Sequence, residues 1–107
     1  MLIIYGSALC VDCRNCKNNF DKFGIEYEER DILSSLKNLK SFLMYRDNRH
    51  EIFDRLIKIH DIGIPCIVDS QTDECFTDWE SYLLKLGYKD LVYEQNAKAC
   101  SLDHKGC

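Results

Sequence analysis

The spacing of apolar positions in this chain changes from segment to segment. LIIY, at positions 2–5, is a continuous apolar run closed by Gly6-Ser7, and a short run bounded by turn residues predicts a buried strand. Over 11–23, Cys13, Cys16, Phe20 and Phe23 recur at steps of three and four. Asp12, Arg14, Asn15, Lys17 and Asn18 fill the other side. That pattern predicts an amphipathic helix, stopped by Gly24. IEYEERDI, over 25–32, partly alternates and predicts a second strand. Strand, helix and strand within about thirty residues predict a βαβ unit with parallel strands and a right-handed crossover.

Ser34-Ser35 opens a predicted helix with Leu36, Leu39 and Leu43 facing inward. A break at Asp47-Asn48 separates it from another helix carrying Ile52, Phe53, Leu56 and Ile57, which ends by Gly63. Cys66-Ile67-Val68 predicts a third strand, and the turn residues 70–73 return the chain as Glu74-Cys75-Phe76, antiparallel to it. Thr77 and Glu80 have the spacing of a capping box. Behind it, Trp79, Tyr82, Leu83 and Leu86 form one apolar helix face closed by Gly87. From Tyr88 the periodicity weakens, so the expected organisation is a domain over 1–87 and a C-terminal extension or tail over 88–107. The expected fold class is α/β. A small mixed four-stranded sheet flanked by helices, βαβ then ββα, buries these faces in three layers.

Composition narrows the function classes. A chain of 107 residues suits one core, and 30% charged residues beside 46% hydrophobic ones fit a soluble globular protein. The net charge of −4 is spread as mixed signs without a Lys/Arg stripe, which argues against a nucleic-acid partner. MLIIYG is too brief an apolar run for a signal peptide or a membrane span. No membrane association and a cytoplasmic location are therefore expected. Seven cysteines are many for this length, and the count is odd. In a reducing compartment, close cysteines signal catalysis or metal binding more often than structural bridges.

CVDCRNC, at 10–16, places three of them at every third position. Cys10 falls at the head of the first helix. Unpaired N–H groups and the helix macrodipole favour an anion there, so its thiol should ionise more readily. Cys13, about one turn further in, can reach Cys10 and close a disulfide. The carboxylate of Asp12 opposes thiolate formation, whereas Arg14 and Lys17 favour it. Cys16 and Cys66 are possible accessory thiols. Cys10, Cys13, Cys16 and Cys66 could also supply thiolates to zinc or an iron–sulfur cluster, although ligands at i, i+3 and i+6 diverge by about 60° per step on a helix. No resident metal and no tightly bound cofactor are expected. Cys100, His104 and Cys107 bear thiols and an imidazole near the C-terminus.

IIYGSALCVDC, the helix after it and GIEYEERDI together resemble the opening of a glutaredoxin, of the thioredoxin-fold superfamily. Gly63-Ile64-Pro65-Cys66-Ile67-Val68 resembles that family's cis-proline segment. Val11-Asp12 stands where the family has Pro-Tyr, and its Gly-Gly pair before the last helix is absent here. CxxCR before a βαβ unit also looks like the arsenate-reductase-type branch of thioredoxin folds. The glutaredoxin resemblance implies a thioredoxin-like fold and thiol–disulfide oxidoreductase activity, with Cys10 as nucleophile and Cys13 as resolving thiol. It implies glutathione as co-substrate and protein disulfides as partners. Ile64, Pro65, Thr77 and Asp78 would then form the glutathione-like substrate site. The competing expectation is a metal-binding, iron–sulfur or redox-sensing protein using the same cysteines.

Overall fold

The computed structural model describes residues 1–94. Cys100, His104 and Cys107 lie outside the described residues. The elements run β1 (Leu2–Gly6), α1 (Val11–Lys22), β2 (Tyr27–Asp31), α2 (Leu36–Asn48), α3 (His50–Lys58), β3 (Cys66–Asp69), β4 (Cys75–Phe76) and α4 (Trp79–Lys85). The sheet is mixed and four-stranded in the order β2-β1-β3-β4. β1 and β2 pair in parallel, Leu2 opposite Tyr27, as the intervening helix requires. β3 runs antiparallel to β1, Tyr5 opposite Cys66, and β4 antiparallel to β3, Val68 opposite Cys75.

Alternation along these strands sorts the core into two clusters. Ile3, Tyr5, Cys66, Val68 and Cys75 point to one side, where Leu39, Phe42 and Leu43 of α2 and Ile52, Phe53 and Leu56 of α3 cover them. Leu2, Ile4, Ile67 and Phe76 point to the other, beneath Cys16 and Phe20 of α1 and Trp79 and Leu83 of α4. The layers are therefore helix, sheet, helix. No helix among the described residues is long and apolar enough to cross a membrane.

Several expectations are corrected at element ends. β2 is shorter than 25–32, because Gly24 adopts φ 69° and the Ile25 N–H donates to the Phe20 carbonyl at 2.9 Å, finishing α1. Leu36 is not inward. It stands at the first position of α2, behind the Ser35 cap, and is 74% exposed, while Phe42 takes the core seat. Ile57 and Leu86 are likewise exposed at helix ends. Thr77 does not cap α4. Asp78 does, its carboxylate accepting from the Ser81 N–H at 3.1 Å and from its hydroxyl at 2.8 Å. An Asp one residue nearer the helix satisfies the first-turn amide directly.

Residues 88–94 lie across α1. The Tyr88 ring stacks on Phe23 with centroids 4.6 Å apart. Asn19 is fully buried and pairs with Val92 in both directions: its Nδ2 donates to the Val92 carbonyl, and its Oδ1 accepts from the Val92 N–H, each at 2.8 Å. Asn15 Oδ1 accepts from the Glu94 N–H at 2.9 Å. Asn15 is therefore buried rather than part of a solvated face. A buried amide here gives an irregular segment the hydrogen bonds that a strand would otherwise provide.

Candidate functional site

α1 begins where β1 ends, and Cys10 is its N-cap, in extended backbone conformation. Its Sγ accepts the Cys13 N–H at 3.4 Å, so sulfur serves as the capping acceptor that Ser or Asp usually provides. The Cys13 thiol also donates to Cys10, and this bond is the largest influence on the Cys10 thiol, holding it below the usual thiol range. Burial and the Asp12 carboxylate oppose it. The backbone N–H groups of Cys13 and Asp12 reinforce it. Cys13 moves the opposite way. Its bond to the Cys10 sulfur, its burial and the charge on Cys10 all hold it protonated. One sulfur is thus poised as thiolate and its neighbour as proton donor, the polarity that an attacking and a resolving thiol require.

Gly6 makes room for this pair. A Cβ built there would lie 2.9 Å from Cys13 Sγ, closer than real contacts allow. The last residue of β1 therefore has no side chain because the second thiol occupies its space. Cys10 and Cys13 join the cluster that holds Tyr5, Ile64 and Cys66. Cys10 is only 3% exposed, whereas the neighbouring Leu9 is 81% exposed. The 7–9 loop that leads into it is held by the Leu9 N–H donating to Ser7 Oγ at 3.0 Å and by Arg14, whose guanidinium donates to the Ala8 carbonyl.

The charges around the motif are engaged. Asp12 accepts from Trp79 Nε1 at 3.1 Å, tying the motif to α4. Arg14 makes a two-pronged pair with Glu94 at 2.7 and 2.9 Å. That contact chiefly raises the Arg14 pKa, and the charge on Cys10 adds to it. Lys17 is bonded to Glu29 at 2.7 Å instead. Its charge favours ionisation of the Cys16 thiol, against the larger effect of burial.

The other expected positions divide. Ile64 precedes Pro65 through a cis peptide bond; both are buried, and Ile64 shares the core cluster of Cys10 and Cys13. Thr77 and Asp78 lie at the head of α4, with the Asp78 carboxylate already engaged by Ser81. Cys16 lies in the opposite cluster with Ile4, Phe20 and Trp79, and burial pushes its thiol up. Cys66 interacts chiefly with Cys75 rather than with Cys10, an interaction that pushes the Cys66 thiol up and the Cys75 thiol down. Among the described residues, no three Cys, His, Asp or Glu side chains converge as a metal site. The sequence pattern does not give the roles of Gly6, Asn15 and Asn19 or the Cys66–Cys75 pairing. Only the last had a usable signal, a turn at 70–73 flanked by cysteines that strand alternation places on one face.

No family model matches the chain, and no solved structure matches it. A curated relative from Haemophilus influenzae, described as an uncharacterized protein, is 33% identical over 66 residues, which span 62% of this chain and 76% of that protein. At that identity over most of the relative's length, the chain belongs to the same family as this Haemophilus influenzae protein.

Proposed function

We propose that the protein is a cytosolic thiol–disulfide oxidoreductase of thioredoxin-like fold, a divergent glutaredoxin-like member of that superfamily. The observation that carries this reading is the placement of Cys10 as the N-cap of α1, its Sγ accepting the Cys13 N–H at 3.4 Å, with the Cys13 thiol buried one turn further in. The helix–sheet–helix layering and the cis Ile64–Pro65 bond, on a segment that joins the cluster around the two thiols, support it. The Cys10 thiolate attacks one sulfur of a substrate disulfide. That S–S bond breaks, one substrate thiolate leaves, and a mixed disulfide remains on Cys10. Cys13 then gives up its proton and attacks Cys10 Sγ, releasing the second substrate thiol. Two electrons have passed from the dithiol to the substrate, and two glutathione thiols restore the dithiol while becoming glutathione disulfide. Because Cys10 is only 3% exposed, attack requires its surroundings to open. Ile64 and Pro65 would present backbone to the substrate. At Thr77 and Asp78 the Asp78 carboxylate already serves α4, so a glutathione carboxylate would rely on Thr77.

The test is a glutathione-coupled disulfide-reduction assay on the full chain. Cys10→Ser should abolish turnover, and Cys13→Ser should accumulate a mixed disulfide on Cys10. In the reduced protein, Cys13→Ala should move the pH midpoint of Cys10 alkylation upward, because the thiol donor is gone. Full activity in Cys10→Ser defeats the proposal, and stoichiometric zinc or visible absorbance in anaerobically purified protein would favour metal or cluster binding.

A further inference from the structure

The Cys66–Cys75 pair stands apart from the chemistry just proposed. β3 and β4 are antiparallel neighbours with Val68 opposite Cys75. Cys66 lies two positions before Val68 and so shares its face; the two cysteines are diagonal neighbours across the ladder. Both are in the α2/α3-side core cluster, and each thiol is the strongest influence on the ionisation of the other. Their exposures are unequal. Cys66 is fully covered at 0%, while Cys75 is 7% exposed and follows a turn whose residues are all open to solvent.

A cation marks the same end. Arg49 Nη2 donates to the Asp73 carbonyl and to Asp73 Oδ2, each at 2.9 Å, two residues before Cys75. The Arg49 guanidinium lies 5.3 Å from the Tyr45 ring centroid. The Cys75 thiol is held below its ordinary range, first by the hydrogen bond from Cys66 and against its burial, with the Arg49 charge helping and Glu51 and Asp73 opposing. Cys66 is held protonated by that same bond, by burial and by the charge on Cys75. The pair repeats the polarity of Cys10 and Cys13 without a helix terminus: here an adjacent strand supplies the donor.

We propose that Cys66 and Cys75 are a second redox site: a dithiol that closes to a disulfide across the β3–β4 hairpin at the expense of a low-molecular-weight disulfide, with Cys75 attacking and Cys66 resolving. The Cys75 thiolate displaces one thiolate from the disulfide and forms a mixed disulfide. Cys66 loses its proton and attacks Cys75 Sγ, expelling the second thiolate. The two cysteines are oxidised by two electrons, and the small disulfide is reduced to two thiols. Exchange of this kind needs a thiolate that meets the reagent and an adjacent thiol; Cys75, the more exposed of the two at 7%, and Cys66 fill those roles irrespective of what Cys10 and Cys13 do.

Residues 59–85 form one tryptic peptide that contains both Cys66 and Cys75 and no other cysteine, so the site can be read alone. The reduced full chain is equilibrated with glutathione disulfide, quenched in acid, alkylated under denaturing conditions and digested. The expected product is peptide 59–85 lacking two hydrogens and both alkyl groups, its halves remaining joined after further cleavage between Asp69 and Glu74. The Cys66→Ser variant, checked for folding by circular dichroism, should instead retain glutathione on Cys75. The result is expected unchanged in a Cys10→Ser, Cys13→Ser double variant, which separates it from the proposed reductase activity. Full alkylation of both cysteines after equilibration, glutathione on Cys66 rather than Cys75, or linkage of either to a different cysteine would each overturn the proposal. The unsubstituted chain decides between these outcomes even if Cys66→Ser does not fold.

Discussion

Gly6→Ala is the most direct probe of how the candidate site is packed. The added methyl would meet Cys13 Sγ at 2.9 Å and Cys13 Cβ at 3.4 Å. Only the first is a clash, and Cys13, at 0% exposure, has no open space to enter. Overpacking of this kind costs about 1–3 kcal/mol. For a domain of this size each ~1 kcal/mol lowers Tm by about 4–8 °C. The backbone itself is no obstacle, because Gly6 is not among the glycines with positive φ. Replacing such a glycine by alanine ordinarily stabilises by about 0.4–1 kcal/mol through the unfolded state. The sign of the effect therefore depends on the Cys13 sulfur. Placed in a Cys13→Ala background, Gly6→Ala should become neutral or stabilising, a coupling of roughly 1.5 kcal/mol or more in a double-mutant cycle. Urea unfolding of the four reduced proteins measures it. Displacing Cys13 should also weaken its bond to Cys10, so Gly6→Ala alone should slow Cys10 alkylation at neutral pH. Equal destabilisation by Gly6→Ala in both backgrounds would refute the claim that Gly6 is kept bare for the second thiol.

Two further outcomes follow from the hydrogen-bond pattern. Asn19→Ala removes the bonds to Val92 and the Nδ2 bond to the Asn15 carbonyl; at about 1 kcal/mol net for each bond plus a small cavity, it should cost about 2–4 kcal/mol. Hydrogen exchange at the Val92 and Glu94 amides should accelerate with it, and protection retained at both would contradict the clamp. Tyr45, whose hydroxyl donates to Asp73 Oδ1 at 2.6 Å, is pushed up from the usual 10.0 to about 12, first by that bond and then by burial. Folding therefore favours the neutral phenol. Its contribution is complete below pH 10 and is lost as pH rises toward about 12, because the unfolded chain ionises first. Denaturation curves for the intact protein and for Tyr45→Phe should converge over that window, and a constant gap between them would show that the phenol does not titrate as described.

The strand–helix order was legible because its signals are local. The apolar run of β1, the three-and-four spacing of α1 and the turn before β4 each depend on neighbours within one element. What was not legible depends on contacts between distant segments. Asn15 reads as part of the polar helix face until residues 88–94 arrive over it and over Asn19. Leu36 and Ile57 have the right period but lie at helix ends, where the covering layer stops. The antiparallel pairing of β3 with β1 leaves no mark in either strand. The capping residue of α4 was misplaced by one position, because Thr77 and Asp78 are both good cap formers and only backbone geometry chooses between them.

The three cysteines of CVDCRNC show how far spacing alone can carry a site. Each step of three residues turns the side chain by about 60° short of a full circle and advances it by about 4.5 Å. Along α1 that carries the thiols from the helix head to the sheet face. Cys10 is a capping residue whose sulfur faces amide hydrogens. Cys13 falls over the end of β1, where Gly6 leaves a space for sulfur. Cys16 lies one turn further on, in the cluster of Ile4, Phe20 and Ile67, where burial raises its thiol pKa. Equal spacing thus yields a thiolate, a proton donor and a packed apolar group. Side-chain type selects none of these outcomes; each follows from what surrounds the sulfur, helix amides for Cys10 and the sheet for Cys13 and Cys16. The same logic finds the second pair, since Cys66 and Cys75 share no motif and meet only because the β3–β4 register turns them to one side.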